Sequence, residues 1–408
     1  MNQSYIRVLG NVNFRMLFFG QIISQIALNV LSFVLAIQVY QKTQSNTAVS
    51  LMLLTFGIPA IIFGVMFGGI VDEFDKRSIL VFCNLSRAFI LVGYFLLGSV
   101  LFLLYFLSVL ISVITQLFIP AEAPSIPQLV KKDDLLMANS FFTVTFYLST
   151  VVGAISAGPL LKTVGNEYIY LILAGFMVIA SYFTLRLPKI APSGLRKFSF
   201  NFVNLIRPVT EGILFIKEHA RIRQSLYLLT FSQALIVTLI AVAPGFADRI
   251  LIIELADVSL FVMGPAALGL IIGAFLVGIF AGKILKGTII LTGIIATGIC
   301  LILISLFSIS GNHGIIYPIV FLLFILGLSN SFINVPTSTI LQEETDKDLR
   351  GRVYGVLTSL TGGFSILPVL FSGLLADAIG IQKTLFIIGI IVFLSGIYYL
   401  RKRIGVVF

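Results

Sequence analysis

The sequence predicts an all-α polytopic membrane protein of twelve transmembrane helices in two six-helix bundles, and three observations predict it. The first is composition. Of 408 residues, 58% are hydrophobic and 11% charged, and the mean hydropathy of +1.09 is too apolar for water-soluble domains. The second is segmentation. A helix needs roughly 20 apolar residues to cross a bilayer, and the chain divides into twelve such runs, whereas barrel strands would alternate apolar and polar residues. The third is an internal repeat. A single shift pairs Phe118, Ile119, Ile126, Gln128, Asp134 and Leu135 with Phe332, Ile333, Ile340, Gln342, Asp348 and Leu349, and it sets Gln116 opposite Asn330. One residue further out of step, Gly158, Leu160 and Gly165 match Gly373, Leu375 and Gly380. A duplication of six helices is the simplest account, with bundles at residues 1–187 and 224–408 joined by a basic linker at 188–223.

The spans follow in order. The first, Phe14 to Tyr40, is longer than the apolar core of a cleaved signal and carries Gln21, Gln25 and Asn29, so it reads as a permanent helix. The second, Val49 to Val71, closes on Asp72; the third, Ile79 to Gly98, is opened by Arg77 and contains Arg87. Span four, Val100 to Ala123, has Glu122 near its end, and span five, Leu136 to Leu161, has Gly153 and Gly158-Pro159, either a hinge or ordinary packing glycines. Span six, Tyr168 to Leu187, is stopped by Pro188, Pro192, Ser193 and Gly194. The linker beyond it is basic with scattered Phe, Ile and Leu, as expected of an amphipathic segment lying along a membrane surface. The second half has spans Gln224 to Ala247, Val258 to Gly282, Gly287 to Ile309, Ile315 to Leu341, Val353 to Ala376 and Lys383 to Leu400. Gly-x-x-x-Gly spacings at Gly64 and Gly68, Gly269 and Gly273, Gly278 and Gly282, and Gly351 and Gly355 permit close helix approach.

Orientation follows from the cations. Of the 27 Lys and Arg, all but Lys42, Lys162, Arg249, Lys383 and the in-span Arg87 fall on the side holding both termini and the loops after even-numbered spans. Both termini are therefore expected in the cytoplasm. This bias, with contact to anionic lipid, accounts for the net charge of +10, and no nucleic-acid partner is implied. Cys83 and Cys300 lie in separate apolar spans and His219 and His313 stand alone, so neither a disulfide framework nor a metal site is expected.

Polar residues inside spans must face protein or water. Gln21, Gln25 and Asn29 share one face of span one, and Phe231-Ser232-Gln233 in span seven partly echoes Phe19-Gly20-Gln21. Two readings stay open, interhelical hydrogen bonding and a hydrated cavity whose lining would be Gln21, Gln25, Asn29, Gln116, Gln233, Asn330 and Asn334. With 37 Phe and no Trp in the chain, such a cavity would be neutral and polarisable and would suit amphipathic organic molecules. No phosphate-cradling loop and no assembled nucleophile are evident, so neither an ATPase, a bound cofactor nor an enzyme is expected.

The run Gly68-Gly69-Ile70-Val71-Asp72-Glu73-Phe74-Asp75-Lys76-Arg77 resembles the loop between the second and third helices of the major facilitator superfamily. Asp348-Leu349-Arg350-Gly351-Arg352-Val353, Glu211-Gly212-Ile213-Leu214-Phe215-Ile216 and Phe118-Ile119-Pro120-Ala121 with Ile126-Pro127 are similar to its macrolide-efflux and enterobactin-exporter branch. The resemblance implies the major facilitator fold and alternating access. In that family spans two and eleven meet, which makes Gly68, Asp72, Asp75, Lys76, Arg77, Asp348, Arg350 and Arg352 the implied cytoplasmic gate; simple positive-inside anchoring is the alternative. Asp75 stands where the family usually has Gly, and Ala27-Leu28 where many relatives have a Gly-Asp pair.

For proton coupling only Arg87 and Glu122 lie inside spans, and either could instead be a structural charge satisfied by a neighbour such as Asp72. Glu343 and Glu344, at the mouth of span ten, read as solvated. The expectation is a proton-driven exporter of amphipathic compounds in the cytoplasmic membrane, its partners being substrate, protons and lipid. An uncoupled facilitator, a lipid-type flippase or a non-transporting receptor of the same fold are the alternatives.

Overall fold

The computed structural model describes residues 7–98, 100–131, 134–190, 216–280, 283–309, 316–345 and 350–402. Twelve long helices follow one another along them: α1 (Val12–Thr43), α2 (Asn46–Glu73), α3 (Lys76–Leu97), α4 (Leu101–Glu122), α5 (Leu135–Val164), α6 (Ile169–Leu185), α7 (Ala220–Phe246), α8 (Gly264–Phe280), α9 (Lys286–Ile309), α10 (Ile316–Glu344), α11 (Arg350–Ile379) and α12 (Ile381–Lys402). Ten are long and apolar enough to cross a membrane, while α6 and the Ile366–Ile379 part of α11 are shorter apolar helices. Many large apolar side chains are exposed, Phe89, Phe102, Phe275 and Tyr317 among them, as expected where lipid is the solvent.

Several helices begin earlier than hydropathy indicates, because hydrogen bonding sets their ends. Helix α2 starts at Asn46 rather than Val49, since the backbone N–H groups of Asn46 and Thr47 donate to a carboxylate. Helix α7 starts at Ala220, within the stretch read as linker. At the far end of α7 the winding loosens to a π-helical turn, Ala247–Leu251, which ends on Ile252 in a left-handed conformation. The segment expected to lie amphipathically on the membrane falls mostly within residues 191–215, outside the described residues.

The fold divides into two units, one comprising Met1–Gln38 and Leu54–Asn201, the other Val39–Leu53 and Phe202–Phe408. In the first, α3 packs on α6 and α4; in the second, α9 packs on α12 and α10. The third helix of each half thus meets the sixth and fourth, as a duplication requires. Proline recurs as well, inside α4 and α10 (Pro120, Pro336) and inside α5 and α11 (Pro159, Pro368). The repeat partners Gly165 and Gly380 follow α5 and α11 with φ of 87° and 92°, a conformation that glycine adopts without strain.

Each unit has its own core. In the first, Phe14, Leu17 and Phe18 of α1 pack with Val71, Leu80, Phe118 and Phe142, and Phe14 stacks on Phe18 at 5.7 Å. In the second, Leu228, Val242 and Phe246 of α7 pack with Ile290, Ile294, Leu326 and Leu385. Helices α8 and α10 approach closely. A Cβ on Gly269 would overlap the carbonyl oxygen of Phe324, and one on Gly327 that of Ala266. The Gly269 and Gly273 spacing therefore marks a helix contact, while Gly278 faces open space. Gly153 of α5 packs against Asn29 of α1, where a Cβ would sit 2.5 Å from the Asn29 Cβ.

Candidate functional site

In the first unit the polar groups gather around Arg87. Its side chain is fully buried in α3, and a buried cation in a bilayer is costly unless it is partnered. Nη2 donates to Thr115 Oγ1 at 3.1 Å and Nη1 to Asn84 Oδ1 at 3.5 Å. The guanidinium lies over the Phe118 ring, 4.5 Å from its centroid; a desolvated contact of this kind is worth about 2 kcal/mol. Thr115, Phe118 and Glu122 occupy one face of α4, the face that Arg87 meets through Thr115 and Phe118. Glu122 is half-buried, and its Oε1, Arg87 Nε and Asn84 Nδ2 have no hydrogen-bond partner among the described residues. An acid and a cation with spare hydrogen-bonding capacity stand where α3 and α4 carry no other charge beyond Lys76 and Arg77 at the start of α3, and such an acid can change protonation or accept a guest.

The polar face of α1 divides. Gln21 is buried and its Oε1 accepts from Thr145 Oγ1 at 3.2 Å, which ties α1 to α5. Asn29 Nδ2 donates back to Gln25 O at 2.9 Å. Gln116 is buried, with a long 3.4 Å bond to Ser112 O. A second buried network in this unit is absent from the sequence reading. Tyr94 bonds Ser108 and stacks on Tyr170 at 5.1 Å, and Tyr170 bonds Gln38, whose Nε2 donates to Asn166 O.

At the loop between α2 and α3, Asp75 bonds in two directions. Its Oδ1 accepts from Ile190 N and its Oδ2 from Ser78 Oγ, both at 2.8 Å, while Lys76 N donates back to Ile190 O. The carboxylate thus anchors the exit of α6 on the loop, which a glycine at this position would leave undone. Lys76 is fully buried and Arg77 half-exposed. Among the other predicted gate residues, Gly68, Asp72, Arg350 and Arg352 lie on helices with side chains outside the described set, and Asp348 is itself outside it. Asp134, just before α5, pairs with Arg7 at 3.1 Å.

The second unit answers with neutral groups. Ser232 Oγ of α7 accepts from Asn330 Nδ2 at 2.8 Å and from Asn334 Nδ2 at 2.7 Å, and Asn334 Nδ2 also reaches Asn330 Oδ1 at 2.7 Å. Gln233, next along α7, is exposed. Glu343 and Glu344 are solvated, as expected, and form surface ion pairs. They pair with Lys286 and Arg221 at 2.5 and 2.8 Å, tying α10 to the starts of α9 and α7. Sequence reading missed Ser232, Asn84, Thr115, Phe118 and Thr145 as partners; the i, i+3 spacing of Asn84 to Arg87 was the only local signal.

Twelve duplicated helices with polar clusters inside them define an integral membrane transporter. The chain belongs to the Major Facilitator Superfamily, which its sequence matches over residues 17–368 and 226–405. It is 25% identical over 374 residues to an uncharacterized MFS-type transporter, YfiS, of Bacillus subtilis, covering 89% of this chain and 86% of that one. It is 25% identical over 184 residues to the enterobactin exporter EntS of Citrobacter koseri, covering 44% of each. Its fold is similar to the crystal structure of the nucleoside transporter NupG, with a TM-score of 0.74 and 13% identity over 95% of this chain and 98% of that one. It is also similar to a bacterial homolog of the human lysosomal transporter Spinster in an inward-facing, unoccupied conformation, with a TM-score of 0.73 and 13% identity over 96% and 97%.

Proposed function

We propose that this transporter exports amphipathic organic compounds by alternating access and couples export to proton entry through Glu122 and Arg87. The observation that carries the reading is Glu122, an acid with an unpartnered buried oxygen on the α4 face where the fully buried Arg87 meets Thr115 and Phe118. When ionised, Glu122 compensates the cation; when protonated, it leaves Arg87 to find a new partner. A protonation event is thereby converted into a rearrangement of α3 and α4. The amides of Gln21, Gln25, Asn29, Gln116, Gln233, Asn330 and Asn334 are the candidate substrate contacts, and their neutrality favours an amphipathic cargo. Gly68, Asp72, Asp75, Lys76, Arg77, Asp348, Arg350 and Arg352 form the gate in this reading, at the cytoplasmic side on which cations accumulate. The relative named as an enterobactin exporter supports the outward direction.

The test is flux in proteoliposomes with an imposed pH gradient, using lipophilic dyes and macrolide-like compounds, with wild type beside Glu122→Gln and Arg87→Ala. Wild-type flux should rise with the gradient and Glu122→Gln should lose that rise. Flux that runs only down the substrate's own gradient would instead establish a facilitator.

A further inference from the structure

At the end of the helices away from the basic loops, the second unit holds a cluster that proton coupling does not use. The turn between α1 and α2 is only two residues long, Gln44 and Ser45, and Gln44 has a left-handed φ of 52°. From the last turn of α11, Asp377 reaches this hairpin and accepts five hydrogen bonds. Its Oδ2 takes Ser45 Oγ at 2.6 Å, Thr47 N at 2.9 Å and Thr47 Oγ1 at 2.7 Å. Its Oδ1 takes Asn46 N and Asn46 Nδ2, both at 2.9 Å. All five are N–H or O–H donors, so the carboxylate acts as a cap for α2 borrowed from another helix and is no cation site. From the π-helical turn that follows α7, Asp248 accepts from Tyr40 at 3.2 Å, and Arg249 donates to Gln44 O at 2.6 Å.

The contact behind these bonds is smooth and incompletely satisfied. Gly373 of α11 and Gly245 of α7 leave a slot for Asn46, and a Cβ on either would overlap Ser50 Oγ or the Asn46 amide. Asn46 Oδ1 and Ser50 Oγ are buried in it without a hydrogen-bond partner among the described residues. Ionic hydrogen bonds at the rim hold the hairpin, while orphaned polar atoms behind them would gain water if it left. Opposing terms of this kind suit an element that must occupy two states.

We propose that Asp377 is a release catch, a positioning residue that holds the α1–α2 hairpin on α7 and α11 in one state of the transport cycle and lets it go in the other. This inference rests on the alternating-access reading. The hairpin belongs to the second unit only from Val39 to Leu53, so the catch governs whether the outer ends of α1 and α2 travel with the C-terminal helices.

Two measurements test it. In the first, Val49, fully buried in the latched hairpin, is replaced by Cys and labelled with a membrane-impermeant maleimide; the wild type, whose two cysteines are buried, gives the background. Adding Asp377→Asn, or separately Gly245→Ala as a wedge, should speed labelling roughly fivefold or more. An unchanged rate in both overturns the catch. In the second, Ser45→Cys and Asp377→Cys are bridged by a short thiol cross-linker, and dye flux should fall to roughly a tenth or less and return on reduction. Undiminished flux in the bridged protein also overturns it. Labelling needs no flux, so a wild type that moves no dye would sink the transport reading while labelling still decides the catch.

Discussion

Glu122 and Asp377 are the same functional group at the ends of two helices, and their surroundings are opposite. Asp377 is exposed at the end of α11, yet five donors converge on it and fix its position. Glu122 ends α4 half-buried, with Oε1 unpartnered among the described residues, on the helix face that the buried guanidinium of Arg87 meets. A carboxylate saturated with donors serves geometry, because protonating it would sacrifice several bonds at once. One with spare capacity beside a cation can gain or lose a proton at the cost of a single interaction, and so can serve chemistry.

The contrast breaks most readily on coupling. With a proton gradient imposed on proteoliposomes, Glu122→Gln should lose the gradient-driven part of dye flux, a fall of about tenfold or more. Asp377→Asn should keep the dependence on the gradient while its absolute rate changes. Equal loss of gradient dependence in both variants would erase the distinction. The next effect is on stability. Arg87→Ala removes a large buried side chain with its aromatic and hydroxyl contacts, and large-to-small substitutions at buried positions cost about 2–5 kcal/mol. Its unfolding midpoint in detergent should fall well below wild type, and adding Glu122→Gln should recover part of the loss, since no unpaired acid then remains. Asp377→Asn should lower the midpoint less, because water can reach the groups it releases.

Much of the fold was legible because bilayer crossing demands long apolar runs, and the sequence contains no other use for them. The duplication was legible too, down to Gly165 and Gly380, which share a positive φ after α5 and α11. What escaped were pairings across long sequence separations. Nothing near Asp377 announces that its partners are Ser45, Asn46 and Thr47, and an acid at a helix end reads as a mere boundary. Gln21 shows the converse. Its polar face was visible, but only the structure supplies Thr145 as its partner on α5. Around Arg87 the sequence offered the charge and the acid, while Thr115 and Phe118 look like ordinary span-four residues until the two helices pack.

The finest test of the contrast uses two threonines, each bonded to one charged group. Thr115 Oγ1 accepts from Arg87 Nη2 in the interior of the first unit, and Thr47 Oγ1 donates to Asp377 at an exposed helix end. Valine has nearly the shape of threonine, so each Thr→Val change removes little beyond the hydroxyl. A hydrogen bond to a charged group is worth about 1.5–3 kcal/mol where water cannot replace it. Thr115→Val should approach that range, because Arg87 already has Nε without a partner and would be left with Asn84 alone among its side-chain hydrogen bonds. Thr47→Val should cost only about 0.5 kcal/mol, as expected of a surface position, since four donors still hold Asp377. Denaturant or thermal unfolding of the purified variants in one detergent measures both. Equal losses would mean that the neighbourhoods of Arg87 and Asp377 differ in geometry but not in solvation, and solvation is the property on which the separate roles of the two clusters depend.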